Sequence, residues 1–172
     1  TSAARHGQAV GDAQTTGSGK VCRAADIPST VANPTAVNAV RTGLNLADSS
    51  LNLQGTGTVA FWYRSNAPWS GAGAAAAQLL DATAVAGQWF FLSKTAGGSL
   101  VFEVTDSTGV IRSVTTAAQS FAAGTWVHIA VVWNFNGLPG SNQDQLQIFV
   151  NAGTPTTSAF TSNGSVTSQA GY

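Results

Sequence analysis

From Thr56 onward, apolar positions recur on alternate residues in short runs, each bounded by turn residues. Ser99–Thr105 is the cleanest case: Leu100, Phe102 and Val104 point one way, and Val101, Glu103 and Thr105 the other, as on a pleated strand. The spacing predicts strands at His6–Val10, Lys20–Ala24, Ala36–Thr42, Thr56–Ser65, Gln78–Ala82, Gln88–Lys94, Ser99–Thr105, Val110–Thr116, Trp126–Asn134, Gln145–Asn151 and Thr156–Phe160. Between them stand turn signals such as Gly97-Gly98, Ser107-Thr108-Gly109, Ala123-Gly124, Pro139-Gly140 and Asn163-Gly164. Val110–Thr116 follows Ser99–Thr105 across Asp106–Gly109, which suits a hairpin.

Two runs are apolar on both faces. In Trp126–Asn134, Val127, Ile129, Val131 and Trp133 alternate with Trp126, Ala130 and Val132; Gly57–Ser65 has the same character. Both are expected as central strands of a sheet covered, or nearly covered, on its two sides. Ser70–Gln78 carries an alanine run but opens with glycines, so a loop or one helical turn is expected there. Asp26–Pro34 reads as an ordered loop around Pro28 and Pro34. The pattern as a whole is that of an all-β antiparallel sandwich.

Composition adds bounds to that picture. The 172 residues suit one domain over 1–172, with no internal repeat and no linker to divide it. Apolar residues make up 44%, with five Trp and eight Phe, enough for a real core. Only 8% of the chain is charged, against roughly 25% in an average soluble protein. The surface is therefore built of hydroxyls, amides, Gly and Ala, as is common outside the cell. Net charge is zero from seven basic and seven acidic residues scattered singly. Nucleic acid and anionic membrane surfaces are thus poor partners, and no apolar stretch approaches the roughly 20 residues of a membrane helix. The sequence contains no Met and begins at Thr1, which suits a fragment of a larger processed protein. Cys22 is the single cysteine. It reads as half of a disulfide with an outside partner, as a small buried hydrophobe or, least readily, as a reactive thiol.

Candidate chemistry is sparse. Glycosidic cleavage by a sandwich enzyme needs two carboxylates facing one bond. Here Glu103 is the only glutamate, and Val101 and Thr105 flank it at alternate positions. A solvent-facing strand residue is expected, and no catalytic residue is assigned. His6 lies in a polar segment and His128 inside an apolar strand, where a structural role is the default. No Gly-x-Ser-x-Gly elbow, phosphate loop or zinc spacing occurs. Calcium is the metal to consider, because it accepts isolated carboxylates supplemented by carbonyls. Asp81, Asp106 and Asp144 are its candidate ligands, with Asp48 as a further loop oxygen. For a ligand, Trp69 in the loop Asn66–Gly71 is the best stacking surface, with Asn66 and Asn142 as polar contacts. Trp62, Trp126 and Trp133 are expected to pack.

Gly57–Ser65, Leu79-Leu80-Asp81, Phe90-Phe91-Leu92, Leu100–Val104, Trp126–Trp133 with His128, and Leu146–Gly153 occur in an order that resembles the LamG-like, concanavalin A-like jelly roll. In this chain Asn151-Ala152-Gly153 replaces that family's usual Asp-Gly turn. More narrowly, His6–Gly11, Lys20–Pro28 and Phe61–Trp69 are similar to the LamG-type module of pilus-biogenesis proteins of the MSHA (MshQ) type. The resemblance implies a two-sheet jelly-roll sandwich in a secreted bacterial protein at the cell surface. It implies a non-catalytic recognition or adhesion role, with glycan, a surface protein, or pilus or envelope components as partners. The family's N-terminal strand and its closing strand are not visible, so a truncated sandwich with an open edge is expected. A structural subunit of a pilus or surface assembly, held by edge-strand pairing, is the alternative.

Overall fold

The computed structural model describes residues 8–10, 14–21, 23–26, 43–45, 53, 55–83, 87–137 and 143–161. It divides the chain into two compact units, Thr1–Leu51 with Ala170–Tyr172, and Asn52–Gln169. The first holds four short strands: β1 (Gln8–Val10), β2 (Gln14–Thr16), β3 (Ala24–Asp26) and β4 (Gly43–Asn45). β1 pairs antiparallel with β4, and β2 with β3. The expected strand at Lys20–Ala24 is not formed: Lys20 and Val21 bend, and β3 starts only at Ala24. Cys22, His6, Ala36–Thr42 and the Pro28–Pro34 loop lie outside the described residues.

The second unit is the sandwich. Its strands are β5 (Thr56–Arg64), β6 (Ala77–Asp81), β7 (Phe90–Lys94), β8 (Leu100–Thr105), β9 (Ile111–Thr115), β10 (Trp126–Asn134), β11 (Gln143–Val150) and β12 (Thr156–Thr161). All eight fall where the alternation predicts them, within two residues at each end. One sheet runs β12-β11-β10-β5 and the other β6-β7-β8-β9, every pairing antiparallel. β5 pairs with β10 although the whole second sheet lies between them in sequence. No described residue is helical, and none lies in a helix long and apolar enough to cross a membrane.

Alternation explains the core. Leu100, Phe102 and Val104 of β8 and Phe90 and Leu92 of β7 share one core cluster with Val127, Ile129, Val131 and Trp133 of β10 and Leu146 and Ile148 of β11; all are buried. The two layers lock through Trp133, whose ring meets Phe90 edge-to-face at 5.0 Å, while Phe90 meets Phe102 at 5.4 Å. Such pairs contribute about 0.5–1.5 kcal/mol beyond their buried area. Thr105 breaks the alternation by being buried. Its hydroxyl accepts from Trp89 N and donates to Gly87 O, closing the turn before β7.

The β11–β12 turn is strained where the sequence departs from the family pattern. Asn151 and Ala152 both adopt left-handed backbone, with φ of 50° and 56°. Asn tolerates that region through its short polar side chain, whereas Ala carries a Cβ penalty there. Ala152→Gly is expected to raise stability by about 0.5–1 kcal/mol, read as a higher denaturant midpoint with an unchanged slope.

Candidate functional site

The loop after β5 does the opposite of what its position suggests. Trp69, expected as an exposed stacking surface, is only 1% exposed. Its backbone N donates to Phe121 O at 3.0 Å and its Nε1 to Gly98 O at 2.7 Å. Tyr63 and Phe121 meet its ring edge-to-face at 5.8 and 5.1 Å. Gly98 makes this possible: at φ of 93°, a Cβ there would stand 2.4 Å from Gln119 O and 3.1 Å from the Trp69 ring. An indole whose N–H finds a buried acceptor is stable inside. Asn66 stays exposed on the same loop, and Asn142 lies outside the described residues. Of the two described ligand candidates, Asn66 is exposed and Trp69 is buried, so they do not form one binding surface.

Lys94, which sequence reasoning overlooked, pins that loop. Only 1% exposed on β7, its Nζ donates to Trp69 O at 2.9 Å, Ala75 O at 2.7 Å and Thr95 O at 3.2 Å. Three carbonyls match the three donors of an ammonium. Burial pushes its pKa below the ordinary 10.5. In the window between that lowered value and 10.5 the unfolded chain binds more protons than the folded one, so stability rises with pH there. Lys94→Met is expected to abolish this rise in denaturation curves taken across the alkaline range.

The three calcium candidates also stand apart, and among the described residues no group of three or more His, Cys, Asp or Glu gathers. Asp106 does not fit a metal. Its Oδ1 accepts from Thr108 N, Thr108 Oγ1 and Val110 N, and its Oδ2 from Arg112 Nε at 2.9 Å. Asp81 caps its own turn, accepting from Thr83 N at 2.9 Å. Asp144 fits better. It is fully buried, its Oδ1 accepts from Gly137 N, and its Oδ2 has no hydrogen-bond partner among the described residues. A spare buried carboxylate oxygen is costly unless something pairs with it.

Among the described residues no carboxylate pair stands ready for hydrolysis. Register places Asp81, Phe91, Glu103 and Ser113 in one row across β6–β9. Asp81 and Glu103 thus share a face but lie two strand spacings, about 10 Å, apart. The residue between them is Phe91, where the scissile bond would have to lie, and a retaining pair needs about 5–5.5 Å.

The exposed chemistry lies instead on the outer face of the first sheet. Register sets Arg64 opposite Trp126, Trp62 opposite His128, and Ala60 opposite Ala130, which faces Phe149 in turn. Trp62 is 42% exposed, correcting the expectation that it packs, and meets the His128 ring at 5.1 Å. The Arg64 guanidinium lies 5.0 Å over the half-buried Trp126 ring. Asn151 closes the Trp62 row, its Oδ1 accepting from His128 N at 2.9 Å. Further along come Thr58, Val132, Gln147 and Thr157, with Gln147 Nε2 donating to Thr157 Oγ1 at 3.2 Å. β10 is central in its sheet as expected, but this side of it is half-exposed rather than covered, and β5 ends the described strand order. Both faces being apolar, periodicity alone could not tell which one met water.

The two-sheet antiparallel sandwich agrees with the sequence comparison. No curated protein matches the chain. The model of the family described as "Concanavalin A-like lectin/glucanases superfamily" matches residues 38–171. Domains of this laminin-G type commonly bind carbohydrates or proteins and are generally non-catalytic, although the superfamily includes some glucanases. With most of its length matched and the sandwich in place, the chain belongs to the concanavalin A-like lectin/glucanase superfamily.

Proposed function

We propose that this protein is a non-catalytic extracellular recognition or adhesion module that binds a glycan or a protein partner at a bacterial cell surface. One observation carries the reading: a 42% exposed indole, Trp62, stands on β5, the last strand of the described order, beside His128 and the Arg64–Trp126 stack. The poverty of charge, 8% of residues, supports a neutral hydroxylated environment. The likeness of His6–Gly11, Lys20–Pro28 and Phe61–Trp69 to pilus-biogenesis modules supports association with a pilus or envelope.

Calcium belongs to the same proposal in a structural role. Asp144 would hold it, through the oxygen that no donor satisfies, and the ion would neutralise that carboxylate at the end of the sandwich.

A glycan array run with calcium and with chelator tests the reading. Selective binding that weakens on Trp62→Ala supports it. Calcium is expected to raise the melting temperature of the native chain but not of Asp144→Asn. The structural alternative predicts no glycan binding together with concentration-dependent assembly in sedimentation. The edge strand β6 counts against that alternative, since it carries a bulge between Gln78 and Leu80 that blunts strand addition. Hydrolysis of a β-glucan that is lost on Glu103→Gln would replace the reading with an enzymatic one.

A further inference from the structure

The outer face of the first sheet changes character along its strands, and the change has a chemical meaning. At one end Trp62 offers a 42% exposed aromatic surface. In the middle the side chains shrink to Ala60 and Ala130, with Phe149 beside them. Beyond them Gln147 and Thr157 present amide and hydroxyl groups. A sugar ring has the same two sides: an apolar C–H face that stacks on an indole, and a rim of hydroxyls that exchange hydrogen bonds with amides and hydroxyls.

Charge narrows the class of ligand. The register positions of β5, β10, β11 and β12 on this face hold one formal charge, Arg64, already placed over Trp126, and no carboxylate. A polyanionic glycan is held by several cations acting together, which these register positions lack. Length narrows it further. From Trp62 on β5 to Thr157 on β12 the face runs four residues along the strands and three strand spacings across them, a diagonal of about 20 Å. That is room for several consecutive sugars rather than one.

We infer that this face is a binding platform for a neutral, extended oligosaccharide, stacked on Trp62, crossing the low ground at Ala60 and Ala130, and hydrogen-bonded by Gln147 and Thr157. The inference rests on the recognition reading above and assigns it a site and a ligand class. It moves the site from the loop at Trp69 to the sheet.

The test is calorimetric titration with neutral cello-, xylo- and manno-oligosaccharides of increasing length, and with oligogalacturonate and heparin fragments, at low and high salt. Neutral chains are expected to bind more tightly as they lengthen, with affinity unchanged by salt. Trp62→Ala is expected to weaken binding about tenfold or more. Ala60→Glu, at an exposed position that tolerates a larger side chain, is expected to weaken it similarly with the melting temperature retained. Binding confined to the acidic fragments and lost at high salt overturns the neutral class and leaves the recognition reading standing. Neutral binding indifferent to both substitutions overturns the site alone. Silence towards every glycan overturns the inference and leaves the recognition reading with a protein partner alone.

Discussion

Gly57→Ala is expected to cost about 3 kcal/mol or more, the upper range for overpacking a core. A Cβ built on Gly57 would stand 2.1 Å from Cζ2 of Trp133 and 2.6 Å from its Cε2 and Cη2. The ring has nowhere to retreat. Its Nε1 donates to Leu53 O at 2.8 Å, and its opposite side is held by Phe90 at 5.0 Å. Relief must come from separating β5 from β10 or from pushing Trp133 into the facing sheet, and either breaks the contact that joins the two layers. A fall in melting temperature of about 6–12 °C is the corresponding reading. Gly17→Ala, where an added Cβ meets nothing within 4 Å, serves as the control and should change stability by under about 0.5 kcal/mol. Equal stability for the two variants would mean that Trp133 does not stand where the sandwich requires it.

Asp106→Ala is the second large effect, at about 2–4 kcal/mol, because it removes one partner of a mostly buried ion pair together with its other hydrogen bonds. The Asp106 side chain is fully buried and that of Arg112 is 19% exposed. Its carboxylate organises the β8–β9 hairpin, while the Arg112 guanidinium reaches 4.6 Å from the Phe160 ring of β12 in the other sheet. One carboxylate therefore shapes a turn and orients a cation that bridges the layers. In a double-mutant cycle, Asp106→Ala and Arg112→Ala are expected to be clearly less than additive. Addition of calcium or chelator should leave the loss unchanged, since the lone pairs serve protein donors. A loss that appears only in the presence of calcium would restore Asp106 as a metal ligand.

Much of the sandwich was legible in the sequence, for a physical reason. β8 alternates because one of its faces must exclude water, so its inward residues Leu100, Phe102 and Val104 are readable directly, and Trp133 packs as expected. The hairpin across Asp106–Gly109 followed from turn chemistry alone. The functional surface was much less legible. Trp62 and Trp126 sit on strands apolar on both faces, and hydrophobicity cannot show which side of such a strand is half open. Trp69 lies in a loop, where no period aims side chains, and its burial depends on Gly98 leaving space and on Lys94, 25 residues away in sequence, holding its carbonyl. Lys94 itself was invisible because a charged residue at a strand end looks solvated; its partners are backbone carbonyls, which leave no trace in sequence. The spare oxygen of Asp144 is equally a matter of three-dimensional accounting.

Which indole meets the ligand distinguishes binding on the sheet from binding at its loops. The five tryptophans each give an indole N–H signal in a nitrogen-correlated NMR spectrum. Titration with a neutral oligosaccharide should shift the signal of Trp62, and to a lesser degree that of Trp126. Those of Trp69 and Trp133, buried and hydrogen-bonded to Gly98 O and Leu53 O, should stay in place. A moving Trp69 signal beside a stationary Trp62 would contradict the account, because the binding surface would then be the loop end of the sandwich and not the outer face of its sheet.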